Sequence, residues 1–472
     1  MSTGRLILLG EAITAVGLSP FVPEPLLQVA CLIVGVVSAY SAFYLKGRLE
    51  LFAAGYVLSL GAVALFTLSG HPIVRFAGWE GVSVIAWMLI AYGRGGTPRS
   101  LEAAFIGFAV NRLGDAFWVA SLLSPEWKWG FVLGGWVKAA LFPLTFWLVQ
   151  VMYAPIPVSA LLHSALLVAL GVYGPIQEPA CLHALPLRSI QVAAEVAALA
   201  AAIGAFLSRV PKSALAWTTS AHLALIAALW AEPPLAQKAL LTHAYFKASL
   251  FLLLGLVQKS LAWTAPLRII WMLTVLLLTF GATPLSPISL LSEGLTAFTL
   301  VRFWRAYPTA PAGRTPWLVV FPILLTTLGA IYLWRQGFSW HSENLLPLLS
   351  AIAGLSFPWP KRAYRLDRAL LHLSHFLEQG WQTLAHQTGR AENALLRGYD
   401  RTFAGLLILM RRGGRMEAQL IDRGWRPLLG RLRVGLEAWV HPSPAWGRTY
   451  QPALQWAFVI TLLIFAVWRY FF

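Results

Sequence analysis

Ionisable side chains recur inside segments of this sequence that are otherwise apolar. Carboxylates, lysine amines and imidazoles all bind and release protons, and a lysine buried beside a movable carboxylate can alternate between its charged and neutral forms. A series of such groups is what proton transfer through a membrane requires, so the pattern predicts a proton relay. The residues found in this setting are Glu80, Asp115, Lys138, His163, Glu195, His222, His243, Lys247 and Glu293.

Two pairs of charged residues have helical spacing. Arg112 and Asp115 stand at i and i+3, and His243 and Lys247 at i and i+4, so each pair shares one face of a helix. An ionisable group facing lipid costs about 2.5–3.5 kcal/mol on insertion scales, or roughly 15 kcal/mol for the series. The series is therefore expected to face the interior of a helix bundle. For any single residue the alternative is a polar contact that only holds helices together.

Prolines interrupt two of the apolar segments close to charged residues. Lys138 precedes Pro143, and Glu293 follows Pro284 and Pro287. A broken helix exposes carbonyl and amide groups that can bind ions or water at membrane depth, provided that they line a cavity. Two broken helices are therefore predicted, although an ordinary proline kink is the alternative for each.

The composition predicts the elements that hold these residues. The chain has 472 residues, of which 58% are hydrophobic and 12% charged, which is far from the composition of a soluble globular protein. Apolar stretches of about 20 residues recur along it, each long enough to cross a bilayer as a helix. The predicted fold is an all-α polytopic membrane protein with about 14–15 transmembrane helices. The first apolar segment, which carries Glu11, is expected to be a retained span rather than a signal peptide.

The charge and cysteine content narrow the classes of function. A net charge of +17 could indicate nucleic-acid binding, but many basic residues lie in short loops, which favours contacts with lipid head groups. Their distribution predicts a cytoplasmic N-terminus. The two cysteines, Cys31 and Cys181, lie far apart in the sequence and lack the spacing typical of disulfide frameworks or metal sites. The sequence therefore predicts no disulfide framework, no metal site and no redox cofactor.

Several sequence blocks resemble the proton-translocating antiporter-like subunits of complex I and Mrp systems, and are most similar to the L-type (chain 5) subunit of NADH:quinone oxidoreductase. The longest of them, PIPVSALLHSALLVALGVY at 155–173, follows the block at 136–148 that contains Pro143. The blocks are YSAFY at 40–44, GWEGV at 78–82, NRLGD at 111–115, WVKAALFPLTFWL at 136–148, PIPVSALLHSALLVALGVY at 155–173 and LTHAYFKASLFL at 241–252.

The resemblance implies roles for individual residues. It implies that Glu80 and Lys138 pair across facing helices, and that His163 lies between the two halves of the path. The relay implied is Glu80, Lys138, His163, His243, Lys247 and Glu293, with Arg112, Asp115, Glu195, Lys212 and His222 in support. It also implies that electron transfer and quinone chemistry belong to other chains.

The sequence departs from the L-type pattern at several positions. Glu293 stands where that subunit has a lysine, which is closer to the M-type relative. The acidic residue expected before Lys212 is replaced, and His222 occupies a position usually held by a neutral polar residue. The chain is also expected to begin about one helix late and to be short after Glu293. It is therefore not expected to be an ordinary complex I subunit.

The C-terminal region has a different composition from the rest. Apolar residues recur at spacings of three and four through an arginine-rich stretch, which predicts an amphipathic lateral helix along the membrane surface that contacts other membrane subunits. An interfacial helix that touches only lipid is the alternative. The predicted organisation is 1–70 N-terminal helices, 71–305 channel core, 306–360 further helices, 361–440 lateral arm and 441–472 anchoring helix.

Three functions are compatible with these features. The first is a proton-translocating subunit of a complex I-related, hydrogenase-type or Mrp-like complex in the cell inner membrane, with sodium as the alternative ion. The second is the membrane subunit of a proton-coupled inorganic-carbon uptake complex, and the third is a non-conducting scaffold. The lateral arm favours the first function, and the retained buried charges argue against the third.

Overall fold

The computed structural model describes most of the chain up to residue 355. Its described residues are 2–93, 96–123, 127–178, 182, 184–260, 262–280, 286–309, 317–336 and 345–355. All of them belong to one compact unit, Met1–Asp367. Pro284, Cys181, the predicted arm at 361–440 and the predicted anchoring helix at 441–472 lie outside the described residues.

The described part of the chain is built from α-helices. In chain order they are α1 Thr3–Leu18, α2 Pro25–Tyr44, α3 Leu49–Leu68, α4 Pro72–Tyr92, α5 Pro98–Leu123, α6 Trp129–Lys138, α7 Thr145–Gln150, α8 Ile156–Ser164, α9 Leu167–Ile176, α10 Leu187–Leu207, α11 Pro211–Ala228, α12 Pro233–Ser260, α13 Ala265–Phe280, α14 Pro287–Arg302, α15 Val320–Arg335 and α16 Leu345–Gly354.

Eight spans among the described residues are long and apolar enough to cross a membrane. The predicted all-α polytopic fold is thus confirmed. The eight are fewer than the 14–15 spans predicted, in part because α6, α7, α13, α14 and α16 are shorter pieces. Two further helices, α5 and α11, have the necessary length but carry charged or hydroxyl side chains along their apolar sequence.

The two innermost spans of the unit are Ile156–Ile176, formed by α8 and α9, and Pro233–Ser260, which is α12. An 18-residue apolar stretch of each is fully buried within the described protein, whereas only a third of the corresponding stretch of the N-terminal span Thr3–Phe21 is buried. In a membrane protein such buried helices contact other helices rather than lipid. Buried polar residues of these spans, such as His163, His243 and Lys247, therefore face protein.

The predicted break near Lys138 is present, and Lys138 is the last residue of α6. The chain then turns through Ala140, which has a left-handed backbone with φ of 55°, before α7 begins at Thr145. Trp136 Nε1 donates to the Phe142 carbonyl at 3.1 Å across the turn. A second break, which the sequence analysis did not predict, separates α8 from α9 immediately after His163.

The broken helix is held against α9 by direct backbone contact between glycines. A Cβ atom on Gly135 would lie 2.4 Å from the Gly171 carbonyl, and one on Gly171 would lie 2.4 Å from the Ala139 amide. Real Cβ atoms do not approach backbone this closely, so both positions require glycine. This contact fixes the end of α6, where Lys138 lies.

Candidate functional site

Lys138 is fully buried and is held mainly by α4. Its Nζ donates to the Trp79 carbonyl at 2.8 Å and to the Ser83 hydroxyl at 2.6 Å, and lies 4.2 Å from the centroid of the Trp79 ring. The nearest carboxylate oxygen is Oδ1 of Asp115, at 3.9 Å. Lys138 therefore has polar partners even without a direct ion pair, which reduces the cost of its burial.

Asp115 lies between Lys138 and an arginine on its own helix. Trp79 Nε1 donates to Oδ1 of Asp115 at 2.6 Å. Arg112 Nη2 is 2.8 Å from Oδ2 of the same carboxylate, although this contact does not have hydrogen-bond geometry. Arg112 also forms an ion pair with Glu80 and stacks over the Phe108 ring.

The predicted direct pair between Glu80 and Lys138 is not the arrangement in this structure. Glu80 pairs instead with Arg112, because α5 places that guanidinium beside the carboxylate. A guanidinium is planar and has five donors, so it can serve two carboxylates at once. The order of charges is Glu80, Arg112, Asp115 and Lys138, a series that alternates in sign.

The four side chains also differ in depth. The exposed fractions are 14% for Glu80 and 21% for Arg112, but 7% for Asp115 and zero for Lys138. Solvent therefore reaches the outer pair more readily than the inner pair. We name the four residues the α4–α6 charge cluster.

A second polar cluster surrounds Lys247 in the interior. The Lys247 ammonium donates to Thr218 Oγ1 at 2.6 Å, and the rings of His222 and His243 lie with centroids 5.8 Å apart. His243 Nε2 is 3.2 Å from the His163 carbonyl oxygen and donates to it. The structure thus brings together residues from α8, α11 and α12, which the sequence analysis singled out separately.

Several ring nitrogens in this second cluster have no hydrogen-bond partner among the described residues. They are both nitrogens of His163 and Nδ1 of His222 and His243. The His163 ring packs against Phe251, with centroids 4.7 Å apart. Buried polar atoms without a protein partner usually bond to ordered water. We name His163, His222, His243, Lys247 and Thr218 the histidine cluster.

A set of hydroxyls joins the broken helix to α11, which carries part of the histidine cluster. Ser220 Oγ donates to the Ala140 carbonyl at 2.7 Å and lies 2.8 Å from Thr145 Oγ1. Ser220 and Thr218 follow one another closely on α11. The sequence alone did not predict that Ser83, Thr145, Thr218 or Ser220 belongs to the site. Its one indication of them was the run of hydroxyl residues Thr218–Ser220 within an apolar segment.

The two interior glutamates have different surroundings. Glu293, on α14, is buried and neither of its carboxylate oxygens has a hydrogen-bond partner among the described residues. Glu195 accepts from Gln191 Nε2 at 3.0 Å and from Ser286 Oγ at 2.7 Å. Because Ser286 caps the start of α14, Glu195 anchors the helix that carries Glu293.

Lys212 is tied to the segment that joins the two broken regions. Its Nζ donates to the carbonyls of Met152 and Ala154, at 2.6 and 2.5 Å, just before α8 begins. The position predicted as supporting therefore fixes the connection between α7 and α8. Within the described residues, no group of three His, Cys, Asp or Glu side chains is arranged to hold a metal ion.

Part of the chain is similar to a known protein family. Residues 126–305 match the family model described as NADH:quinone oxidoreductase/Mrp antiporter, TM. The matched region includes Lys138, the histidine cluster and Glu293. This region of the chain is therefore similar to the antiporter-like family. The other three members of the α4–α6 charge cluster precede the matched region.

One protein similar to this chain is NADH-quinone oxidoreductase subunit L of Escherichia coli (strain K12). The two are 30% identical over 259 residues, which cover 47% of this chain and 42% of the relative. NADH-ubiquinone oxidoreductase chain 5 of Balaenoptera physalus is 28% identical over 345 residues, or 65% of this chain and 55% of the relative. The chain spans about half the length of the curated relatives it matches.

The fold of the chain also resembles a solved structure. It matches a chain in the structure of the Mrp complex from Dietzia sp. DQ12-45-1b with a TM-score of 0.53. The match covers 93% of this chain and 60% of that chain, at 20% sequence identity. This likeness supports the all-α architecture of the chain.

Proposed function

We propose that this chain is a proton-translocating, antiporter-like membrane subunit of a complex I-related or Mrp-like complex. The observation that carries the proposal is the α4–α6 charge cluster, where charges of alternating sign run from a partly exposed carboxylate to a fully buried lysine. A set of buried charges that only stabilised the fold could be replaced by apolar residues at little cost in stability. A buried lysine 3.9 Å from its carboxylate is therefore better explained by a function than by stability.

The cluster supports a switch that moves a proton. Arg112 contacts both Glu80 and Asp115. When Arg112 binds Asp115, that carboxylate has less influence on Lys138, and burial favours the neutral amine. When Arg112 turns fully to Glu80, Asp115 is free to approach Lys138 and favours the charged ammonium. A shift of the guanidinium between two carboxylates thus changes the proton affinity of Lys138.

The proton then has a polar route toward the histidine cluster. The hydroxyls of Thr145 and Ser220 begin at the turn that follows Lys138, and Thr218 bonds Lys247 on the far side of α11. Water bonded to the unpartnered imidazole nitrogens would complete this route. Glu293 is proposed as the terminal group, since it is buried on α14, the helix that Glu195 anchors.

The cellular setting is proposed on the same basis. The subunit L relative comes from Escherichia coli, which supports an inner-membrane location, and the basic loops support a cytoplasmic N-terminus. The named relatives are subunits of larger oxidoreductases, so the chain is proposed to work with other membrane subunits. Residues 361–440 are proposed to contact those subunits. Protons are the proposed ion, with sodium as the alternative cargo.

Vesicles that contain the purified complex test the proposal. Energised vesicles should change their internal pH, as read by a pH-sensitive dye. Lys138→Met should reduce this change at least tenfold, because the proposed relay loses the buried amine that binds and releases the proton. Lys46→Met is the matched control, since Lys46 is exposed in a loop, and it should transport normally. Normal transport by Lys138→Met would contradict the proposal and favour the scaffold function.

A further inference from the structure

A carboxyl group outside the central path lies near the middle of the first membrane span. Glu11 is on α1, eight residues beyond Thr3, or about 12 Å along the helix axis. Ile13, two residues on, is 76% exposed and Leu6 is 57% exposed, so another face of α1 is turned outward. An ionisable residue at this depth is costly, and by default it indicates a function.

The Glu11 carboxyl group faces hydroxyls of the two neighbouring helices. Both of its oxygens are buried, and the Ser38 hydroxyl on α2 lies beside them, although neither group makes a hydrogen bond of ordinary geometry. Tyr56 on α3 is close enough to interact electrostatically with Glu11, and its hydroxyl is 3.0 Å from Ser41 Oγ. One carboxyl and three hydroxyls therefore meet between α1, α2 and α3.

No cation balances the charge of Glu11 in the described part of the chain. The ion pairs there join other residues, and the only ionisable side chain of the adjoining helices that faces Glu11 is Tyr56. The charged residues of α1 to α3 and their connections lie toward the helix ends: Arg5, Glu24, Lys46, Arg48 and Glu50. An ionised Glu11 would be a buried charge without a counterion.

We propose that Glu11 is a second proton-binding site, separate from the central path, in which the carboxyl is protonated and exchanges its proton through Ser38, Ser41 and Tyr56. Protonation removes the cost of an unpaired charge at this depth. It also gives the carboxyl an O–H group that can donate to the Ser38 hydroxyl oxygen. The hydroxyls can each donate and accept, so together they form a short proton-exchanging chain. The site lies beneath the outward face of α1, away from Lys138 and the histidine cluster.

A hydrophobic carbodiimide tests this site directly. The carbodiimide nitrogen takes the carboxyl proton while the carboxyl oxygen adds to the carbodiimide carbon. Only protonated carboxyl groups therefore react. The full chain in membranes is treated with dicyclohexylcarbodiimide across a pH series, and adducts are quantified by mass spectrometry. Glu11 should be labelled at neutral pH, and labelling should fall as the pH is raised. Glu102, which is exposed, should remain unlabelled at neutral pH.

Ser38→Ala tests the proposed hydroxyl partner. Ser38 can accept from the protonated carboxyl and donate to the ionised carboxylate, and the bond to the charged form is the stronger. Its loss should therefore move the midpoint of labelling to higher pH by roughly half to one unit. Glu11→Gln should abolish the label and leave the thermal unfolding temperature unchanged, because an amide resembles a neutral carboxyl. Absence of label on Glu11, labelling that does not depend on pH, or an unchanged midpoint in Ser38→Ala would each overturn the proposal.

The result does not depend on transport. Lys138→Met, which tests the central path, should leave the labelling of Glu11 unchanged. If Glu11 is labelled as expected while Lys138→Met transports normally, only the proposed translocation function fails. If Lys138→Met blocks transport while Glu11 is never labelled, only the second site fails.

Discussion

At the scale of single residues, Arg112 determines how the charge cluster is arranged. It forms ion pairs with a carboxylate on α4 and with one on its own helix, and the Phe108 ring supports its guanidinium. Lysine could not reproduce this arrangement, because an ammonium is a compact charge without a planar fork. The cluster therefore depends on the type of cation as well as on its charge.

We expect Arg112→Leu to leave Glu80 and Asp115 without a cation between them, at a cost of about 3–5 kcal/mol if both stay charged. Transport should fall at least tenfold, and Arg112→Lys should restore only part of it. Arg99, exposed at the start of α5, supplies the control Arg99→Leu. Vesicle acidification and thermal unfolding measure the two effects, and full activity of Arg112→Leu would exclude the switch.

Adjacent threonines on α11 allow a matched test of the histidine cluster. Thr218 Oγ1 accepts from Lys247, whereas Thr219 Oγ1 bonds only the Leu215 carbonyl of its own helix. Thr218→Val leaves the buried Lys247 donor unsatisfied, at about 1–3 kcal/mol, so transport should fall several-fold. Thr219→Val should have little effect on transport. Equal transport by the two variants would show that Lys247 does not work through Thr218.

At the scale of elements, interruptions of the helices place the functional residues. Lys138 ends α6 and His163 lies in the last turn of α8, so both residues adjoin a break. A break frees carbonyls such as that of Ala140, which Ser220 then binds. Helix breaks at membrane depth are tolerated only where protein or a polar cavity satisfies the backbone. Here the Ser220 hydroxyl provides the hydrogen bond to the freed Ala140 carbonyl.

The contact between α6 and α9 gives a prediction about an element rather than a side chain. Gly171→Ala places a Cβ against the Ala139 backbone, so the helices must separate, at a cost of about 1–3 kcal/mol. Lys138 should shift with α6, and transport should fall together with the unfolding temperature. Gly61→Ala, on α3, meets no atom within 4 Å and should be neutral or slightly stabilising. An active, stable Gly171→Ala protein would show that this spacing is not required.

At the scale of the whole molecule, polar chemistry concentrates in the helices that other helices surround. The spans formed by α8 with α9 and by α12 each have an 18-residue stretch that is fully buried, while α1 and α15 expose apolar side chains such as Ile13 and Ile331. Lipid or neighbouring subunits are expected to cover those outward faces. The central path is thereby separated from the surface through which the chain would join a complex.

Deleting residues 361–440 is expected to release partner subunits before it affects the central path, because the buried clusters lie in other segments. Co-purifying subunits, counted by mass spectrometry after affinity isolation, measure the first effect. The labelling of Glu11 and the thermal unfolding of the remaining chain report whether the helix bundle is intact. Retention of all partners in the deleted protein would show that this segment does not hold the assembly.

The sequence by itself determined the all-α membrane fold, the break after Lys138 and which ionisable residues are candidates for the proposed relay. Composition and segment length decide these features, because lipid requires every backbone polar group to be satisfied within the protein. The sequence also placed His163, His243 and Lys247 in blocks similar to the antiporter-like family. Each of these features depends on residues that are near one another in the chain.

Only the tertiary structure decided which charges are partners. The sequence analysis paired Glu80 with Lys138, whereas α5 places Arg112 beside Glu80 and brings Asp115 nearest to Lys138. The hydroxyls of Ser83 and Thr218 were missed for the same reason, because hydroxyl residues are common in helices and their partners are far away in sequence. A pattern within one helix fixes which face a side chain takes, but the packing of helices fixes what that face meets.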